Sequence, residues 1–334
     1  MAEYVNDFAP RNGRLYVRCL HHEETIFKAD AYVFILDGQV WLLDGGMKQS
    51  YVTGDYLAEL RREWLSLGGL DETSKLKLKL DWFVSHFHID HVSVTIDTLI
   101  PDSRFEFGTL YLPPITALDN SYCPDGSNGN GDIKYRPRLH KALGKHGTGN
   151  EKIVQFEFGM QNITDVFDNS GKLQMTIYPP LADAGLGERL EYNINEYWGG
   201  DRTYKAIPTV VVNSNSNWLR LRYGKHNFLF TGDTMKREAY LDKESTNEMV
   251  AAYHDIIGNV DVIKHVHHGY RRDDAASLMM SFGPSHVIFS CREEGASATY
   301  RREFPDSPVK LHNCAAEDVI FESDGETLTV RGEK

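Results

Sequence analysis

Residues 86–91 read HFHIDH and follow directly on a run of residues that favours a β-strand. His86 and His88 are two residues apart at the end of that strand, so their side chains point the same way and can bind one metal ion together. Asp90 and His91 come where the chain turns, and they can reach a second ion nearby. Three imidazoles and a carboxylate this close together are typical of a site for zinc or a similar borderline metal. The alternative is a solvated, histidine-rich turn.

Two later segments can contribute to the same site. Residues 228–233, FLFTGD, predict a buried strand that places the Asp233 carboxylate at its end. A carboxylate can bridge two cations, although an aspartate after a strand is more often a turn residue or a helix cap. Residues 261–266 predict another strand, which leads to His267-His268-Gly269. One of these histidines can complete the ligands of the second metal, while the other hydrogen-bonds to substrate or orients a ligand.

The composition is that of an acidic globular protein. The chain has 334 residues, and its 36 Lys+Arg against 48 Asp+Glu give a net charge of −12, which argues against coating nucleic acid through bulk charge. A hydrophobic content of 41% excludes a disordered chain. No stretch reaches the roughly 18 apolar residues of a membrane helix, and residues 1–14 do not resemble a secretory signal. The chain has four cysteines that lie far apart, at Cys19, Cys123, Cys291 and Cys314. This spacing favours reduced thiols, so we expect a cytoplasmic protein with no membrane contact.

Strands occur in hairpin runs at both ends of the chain, with helices between them. Predicted strands cover residues 14–19, 31–36, 40–43, 79–85, 173–178, 209–212, 218–223, 227–231, 260–266, 286–290, 319–321 and 327–330. Predicted helices cover residues 56–67, 238–254 and 274–282. Prolines and glycines between about residues 112 and 151 predict a long irregular insertion. This order favours an α/β protein with two sheets face to face and helices outside.

These segments resemble those of a known superfamily. HFHIDH matches the HxHxDH signature of the metallo-β-lactamase superfamily. NSNSNWLRLRYGKHNFLFTGD at residues 213–233 and DVIKHVHHGY at residues 261–270 are similar to the metallo-hydrolase domain of ComEC-type competence proteins and their stand-alone relatives. The resemblance covers roughly residues 14–331, apart from the insertion. It implies a four-layer αββα sandwich, a single domain over residues 1–334, with a dinuclear metal site along one edge.

The resemblance also implies roles for individual residues. The first metal would be bound by His86 and His88, and the second by Asp90, His91 and His268, with His267 as the second choice for that last ligand; Asp233 would bridge the two. Zinc is the expected metal, with manganese as the alternative. The chain departs from the family at two places: residues 175–180 lack the further histidine that many members supply to the first metal, and Val92-Ser93 replaces the usual two glycines.

The chemistry that the resemblance implies is hydrolysis by a hydroxide that bridges two metals. Asp90, Asp233 and His267 are the candidate catalytic residues. The proton for the leaving group would come from His267, from Tyr270 or from a water on Asp90, and the sequence does not choose among them. Phosphodiesters, lactones, thioesters and β-lactams are all open to this mechanism.

Three local features favour a phosphate-containing substrate. The insertion holds a basic run that can steer an anion or simply be solvated: Lys134, Arg136, Arg138, His140, Lys141, Lys145 and His146. Arg271-Arg272 can clamp a phosphate or form a charged turn before a helix. Asn213, Asn215 and Ser216 can donate hydrogen bonds to substrate or tie down a loop.

The leading hypothesis is therefore a metal-dependent phosphodiesterase that acts on a nucleic acid end, a nucleotide or a phosphocholine-type ester. As a nuclease on single strands it would use exposed aromatic residues such as Tyr122 and Tyr135 to stack bases. The first alternative is a hydrolase of a lactone, thioester or β-lactam. The second is a non-catalytic metal-binding sensor module, which loss of Asp90 or Asp233 would have indicated.

Overall fold

The computed structural model describes residues 2–21, 29–47, 51–115, 132–183, 212–234, 245–269, 275–291 and 295–333. Its strands are β1 (Leu15–Cys19), β2 (Ala31–Leu36), β3 (Gln39–Asp44), β4 (Leu78–Phe83), β5 (Phe105–Leu112), β6 (Lys152–Gln155), β7 (Thr164–Phe167), β8 (Leu173–Tyr178), β9 (Trp218–Tyr223), β10 (His226–Phe230), β11 (Val262–Lys264), β12 (His286–Phe289), β13 (Lys310–Asn313), β14 (Asp318–Ser323) and β15 (Leu328–Glu333). Its helices are α1 (Val52–Leu67), α2 (Ile89–Val94), α3 (Asp132–His146), α4 (Ser245–Ile257), α5 (Ala276–Met280) and α6 (Gly295–Glu303).

The strands form two mixed sheets. One sheet has eight strands in the order β15-β14-β1-β2-β3-β4-β5-β6, and the other has seven in the order β13-β12-β11-β10-β9-β8-β7. Their facing side chains make the central core, where the ring centroids of Tyr32 and Phe230 lie 4.9 Å apart and those of Phe228 and Phe321 lie 5.9 Å apart. The sheets therefore pack face to face, with an apolar layer between them.

Helices cover the outer face of each sheet. Apolar side chains of α1, α2 and α3 pack on the eight-stranded sheet, and those of α4, α5 and α6 pack on the seven-stranded sheet. In α1 the predicted apolar positions Leu57, Leu60 and Trp64 are buried, whereas Leu67 in the last turn is exposed. The four layers confirm the predicted αββα sandwich.

Several predicted elements need correction in their bounds or kind. The hairpin turn at Asp37-Gly38 is confirmed, with positive φ at both residues, the geometry of the turns that match strand twist. Of the predicted strand over 209–212, residues 209–211 lie outside the described residues, and residues 212–214 are helical instead. The predicted helix over 238–254 is described only from residue 245, and it extends to Ile257.

The predicted insertion is not irregular throughout. Residues 132–146 form α3, and Tyr135 and Leu139 bury their side chains in the core under the eight-stranded sheet. The guanidinium of Arg136 lies 4.5 Å from the centroid of the Phe87 ring and donates to the Pro113 carbonyl at 3.0 Å. Helix α3 is thereby attached next to the HFHIDH segment. Residues 116–131 of the insertion lie outside the described residues.

Parallel strands bring distant segments to one edge of the sandwich. Strands β3 and β4 run parallel in one sheet, and β10, β11 and β12 run parallel in the other. The segments that follow their carboxyl ends meet at that edge, which is where ligands usually bind in such sheets. Among the residues that the structure describes, no helix is long and apolar enough to cross a membrane.

Candidate metal centre

The HFHIDH segment changes conformation in its middle. His88 is extended, with φ −99° and ψ 159°, and α2 begins at the next residue. His86 and His88 therefore leave β4 in extended chain, with His86 Nε2 3.1 Å from His88 Nδ1, whereas Asp90 and His91 project from the first turn of α2. Histidine spacing alone predicted the first pair, and the helix start explains how the second pair reaches the same place.

The Gly-Asp turn after β10 holds Asp233 in position. Gly232 has φ +56°, and a Cβ there would lie 2.7 Å from the Ser216 Cβ, so the turn requires glycine at this residue. The Asp233 amide donates to the Ser216 hydroxyl at 3.1 Å. The His267 amide donates to the Gly232 carbonyl at 3.1 Å, which links this turn to the His-His-Gly segment after β11.

The His-His-Gly segment is strained. His267 and His268 have φ of 47° and 60°, the left-handed region that costs a side-chain-bearing residue about 1–2 kcal/mol. Strain of this kind persists only where the surroundings hold it, and it is concentrated at functional sites. The consequence here is that both consecutive imidazoles are directed towards Asp233.

Imidazole nitrogens converge on one oxygen of Asp233. The distances to Asp233 Oδ2 are 3.0 Å from His268 Nε2, 3.2 Å from His91 Nε2, 3.9 Å from His86 Nε2 and 4.0 Å from His267 Nε2. Asp90 Oδ2 lies 3.3 Å from His268 Nε2. The Nε2 atoms of His88, His91 and His268 are buried and have no hydrogen-bond partner. Because buried polar atoms are otherwise nearly always partnered, these open nitrogens around a carboxylate fit a metal centre.

The opposite sides of the rings are held by the protein. His91 Nδ1 pairs with Asp44 Oδ2 at 2.8 Å, and His268 Nδ1 with Ser290 Oγ at 2.9 Å and Asp30 Oδ1 at 3.2 Å. Such contacts fix the tautomer and leave Nε2 as the ligand atom. Asp30, His91, Asp233 and His268 each offer an atom within 4.8 Å of the others. Asp30 also contacts Nδ1 of His268, where it is placed to orient that ring.

A buried lysine stands between two of these carboxylates. Lys264 Nζ lies 2.7 Å from Asp30 Oδ2 and 3.2 Å from Asp233 Oδ1, and it donates to the Gly232 carbonyl at 2.6 Å. Burial would lower the pKa of Lys264, but the two carboxylates raise it above its usual value. The side chain is therefore an ammonium ion inside the centre.

The histidines fall into two electrostatic groups. Burial lowers the pKa of His86 well below its usual value and that of His88 to about 4, so both are neutral. Burial would also lower the pKa of His91 and His268, but Asp233 beside both rings raises it, to about 10 for His268. A cation that binds the second pair must therefore displace protons.

The carboxylates of the centre are ionised. Burial would raise the pKa of Asp233, yet His268, His91 and Lys264 hold it well below its usual range. Burial would raise the pKa of Asp90 as well, but the neighbouring His268 imidazole and the charge of His91 bring it to about 2. Both can act as metal ligands at neutral pH.

The structure brings the predicted metal residues together. His86, His88, Asp90, His91, Asp233 and His268 share one site, and Nε2 of His268 is nearer than Nε2 of His267 to Asp233 Oδ2. The roles of these residues stay predictions. His267, with 20% of its side chain exposed, is the most accessible site histidine for which an ion-pair contact is described.

The predicted substrate contacts are placed differently. Asn213, Asn215 and Ser216 are buried; Asn215 donates to Asp183 at 2.8 Å, and Ser216 accepts from the Asp233 amide. Of the three, Ser216 supports the Gly-Asp turn, and contact of any of them with substrate stays a prediction. Tyr270 and Arg271, with Arg272, lie outside the described residues. Tyr135 is 1% exposed, so the prediction that it stacks bases is wrong, and Tyr122 lies outside the described residues.

Sequence reasoning missed three charged residues of the centre. Asp44 was visible only as part of a sharp exit from a strand, and Asp30 precedes a strand without any motif. Lys264 carried a usable signal, because it is a charged residue within the apolar run VIKHV. Lysines are almost never fully buried unless they are paired, so a lysine in a buried strand indicates nearby carboxylates.

Comparisons with known proteins give low similarity. No protein-family model matches the chain, and no curated protein matches it. YhfI from Bacillus subtilis, a metallo-β-lactamase fold protein, is 13% identical with a TM-score of 0.47 over 90% of this chain and 95% of its own. Zinc-bound PqqB from Methylobacterium extorquens is 10% identical with a TM-score of 0.42 over 90% of both chains. The short form of human tRNase Z is 12% identical with a TM-score of 0.40 over 83% of this chain and 92% of its own. These similarities are too low to assign a function, and the resemblance to ComEC-type proteins stays a prediction.

Proposed function

We propose that the chain is a dinuclear metal-dependent hydrolase that cleaves a phosphodiester. The observation that carries the proposal is the convergence of four imidazole nitrogens on Asp233 Oδ2, two of which, in His91 and His268, are buried and without a hydrogen-bond partner. A histidine-rich turn in solvent would not bury these atoms or align them on a carboxylate. Ionised Asp233, at the centre of the group, is the residue best placed to serve two cations.

Two ligand sets would share Asp233. His86 and His88 supply neutral imidazoles to the first cation, and Asp90, His91 and His268 supply the second. The first cation would then have only these two histidines and Asp233, since residues 175–180 lack a further histidine. When bound, two divalent cations, zinc foremost, would acidify a water molecule and stabilise negative charge on the substrate.

The chain's own residues would orient the reaction. Asp44 and Asp30 hold the His91 and His268 rings in place. His267 is partly exposed and close to Asp233, so it is the residue we assign to protonate the leaving group. A histidine suits this role because an imidazole can accept and release a proton within hydrogen-bond reach of the reacting atoms.

Helix α3 supports an anionic substrate. Lys134, Arg138, Lys141 and Lys145 are spaced by four, three and four residues, which places them along one face of the helix. Three of them are exposed lysines, and Arg138 forms an ion pair with Asp97. On a chain of net charge −12 this face can steer an anion towards the neighbouring centre. Arg136 is excluded from it, since its side chain is buried against Phe87.

The test combines metal content with hydrolysis. Wild type, Asp233→Ala and the exposed control Asp306→Ala would be loaded with zinc or manganese, and assayed by mass spectrometry and with bis-p-nitrophenyl phosphate. We expect near two equivalents of metal in wild type and in the control, with turnover lost in Asp233→Ala. Metal without phosphodiester turnover would favour lactone and thioester substrates. Absence of bound metal after loading would refute the enzyme and leave a binding module.

The contribution of α3 has its own readout. Replacing Lys134, Lys141 and Lys145 together by Glu is expected to raise KM for the anionic ester severalfold and to leave kcat unchanged, because the helix face steers and does not react. The effect should shrink with added salt, which screens exposed charges. An unchanged KM at low salt would remove α3 from the proposal.

A further inference from the structure

Lys264 is the one buried lysine among the residues that the structure describes, and it is 1% exposed. Its ammonium contacts three oxygens: Asp30 Oδ2 at 2.7 Å, Asp233 Oδ1 at 3.2 Å and the Gly232 carbonyl at 2.6 Å. Burying an ammonium is costly unless it is paired, and Lys264 Nζ donates to Asp233 Oδ1 and to the Gly232 carbonyl and forms an ion pair with Asp30 Oδ2. The position therefore has a purpose that an apolar residue of β11 would not serve.

The two oxygens of Asp233 have different partners. Oδ1 faces the Lys264 ammonium, whereas Oδ2 faces the Nε2 atoms of His91 and His268. The backbone keeps Lys264 in register, because Phe230 pairs with Lys264 across β10 and β11 and the Thr231 hydroxyl donates to the Lys264 carbonyl at 2.8 Å. A rotation of the Asp233 carboxylate would break the contact with Lys264 and move Oδ2 away from the imidazoles.

We infer that Lys264 is a positioning residue that restricts Asp233 to ligation through Oδ2 alone. A carboxylate with both oxygens open can offer one to each of two cations or both to a single cation. An ammonium on Oδ1 repels any cation that approaches that oxygen, so both cations must share Oδ2. The inference rests on the proposed dinuclear site, but it is independent of which ester is cleaved.

The same ammonium connects Asp233 to the ring behind it. Lys264 holds Asp30 Oδ2, and Asp30 Oδ1 contacts His268 Nδ1 at 3.2 Å. Lys264 thus aligns a bridging ligand and, through Asp30, a terminal ligand of the second cation. A purely structural lysine would stabilise the fold but would leave the coordination at Asp233 unaffected.

The direct test is the crystal structure of the zinc-loaded wild-type protein. We expect Oδ2 of Asp233 to contact both ions, with Oδ1 still on the Lys264 ammonium. A structure in which Oδ1 binds zinc, or in which Lys264 has left Asp233, overturns the inference. The result is separate from that of the hydrolysis assay, since a protein that binds two zinc ions in this manner and cleaves no phosphodiester refutes the proposed substrate only.

Cobalt-loaded variants test the same point in solution. Lys264→Met is expected to weaken binding of the second Co²⁺ at least tenfold and to change the Co²⁺ absorption and EPR spectra, because Asp233 is free to turn. Lys264→Arg should restore part of both, and the exposed control Lys152→Met should resemble wild type. Wild-type affinity and spectra in Lys264→Met overturn the inference. If that variant does not fold, the zinc-loaded wild-type structure decides alone.

Discussion

Two groups of histidines lie towards opposite ends of the parallel strands of the seven-stranded sheet. At the amino-terminal end, His286 Nδ1 and His312 Nε2 are 2.8 Å apart, and the two rings stack at 22°. Both rings also contact Phe321 edge-on. At the carboxyl end, His91 and His268 face Asp233 through nitrogens that have no hydrogen-bond partner.

The difference lies in the surroundings of the rings and not in the number of histidines. The His286–His312 pair satisfies its facing nitrogens internally, and burial lowers the pKa of both members, to about 4 for His286. In the metal centre, carboxylates outweigh burial and raise the pKa of His91 and His268. Open nitrogens beside an ionised carboxylate, more than the density of imidazoles, therefore distinguish a cluster that could bind cations.

The largest expected effect is on zinc affinity, and it comes from comparing the same His→Gln substitution in the two histidine groups. His91→Gln removes a proposed ligand nitrogen and one of the hydrogen-bond partners of Asp44. Because loss of an outer hydrogen-bond partner already costs about 10–100-fold in metal affinity, loss of this ligand should cost more than about 100-fold. The zinc affinity of His286→Gln should equal that of wild type.

Competition with a chromophoric chelator measures both affinities. Thermal unfolding of the metal-free proteins is the control, since both substitutions remove a buried ring. Equal losses of zinc affinity in the two variants would contradict the distinction between the ends. A loss confined to His286→Gln would reverse the assignment.

A second prediction concerns the turn that carries Asp233. Gly232→Ala places a Cβ 2.7 Å from the Ser216 Cβ at φ +56°, whereas Gly258→Ala meets no atom within 4 Å at φ +68°. In both variants an alanine in the left-handed region should lower the free energy of unfolding by about 1–2 kcal/mol. The additional clash should raise the loss in Gly232→Ala to about 3 kcal/mol. Urea unfolding of the metal-free proteins gives both free energies.

Zinc titration of the same two variants sharpens the comparison. The shift of Ser216 that relieves the clash also displaces the hydroxyl that accepts from the Asp233 amide, so Gly232→Ala should bind zinc more weakly as well. Gly258 follows α4, and its variant should keep wild-type zinc affinity. Equal destabilisation in the two variants would show that the space beside Ser216 does not constrain the turn.

Local patterns in the sequence predicted much of the fold and the residues that gather in the candidate centre. The HFHIDH spacing and the strand before it are short-range features, and alternating apolar residues predicted β8 and β9 at their observed bounds. The sequence also predicted that either His267 or His268 would complete the ligands of the second metal. Only the left-handed backbone at both residues, which the surrounding contacts hold, directs His268 towards Asp90 and Asp233.

The carboxylates that hold the histidine rings of the candidate centre in place could not be predicted from local patterns. Asp30 meets His268 across 238 residues of sequence, and His91 meets Asp44 across 47. Such pairs exist because parallel strands of two sheets end at one edge, which periodicity does not reveal. Arg136 shows the converse error: it was assigned to a charged surface, yet packing of α3 buries it over Phe87.

The smallest expected effect is the acid sensitivity of the His286–His312 pair. The pKa of His286 is about 4 in the folded protein, against 6.5 for a free histidine, so the unfolded chain binds more protons between these values. The stabilisation that neutral His286 provides is therefore present above pH 6.5 and is lost as pH falls towards 4. Because the His286–His312 pair is partly open to solvent, we expect the free energy of unfolding to change by only about 1 kcal/mol over this interval. His286→Gln should lose that much less stability than wild type over this interval.

His254 provides a control of opposite sign. The Ser281 carbonyl and Asp255 raise the pKa of this exposed histidine, so its stabilisation is present at low pH and is lost as pH rises through neutrality. Urea unfolding of metal-free wild type, His286→Gln and His254→Gln at pH 6.5 and pH 4.5 separates the two cases. His254→Gln should fall further behind wild type at the lower pH, whereas His286→Gln should gain on it. If both variants moved in the same direction, the pH dependence would reflect the loss of a ring and not the environment that distinguishes the paired histidines from those of the metal centre.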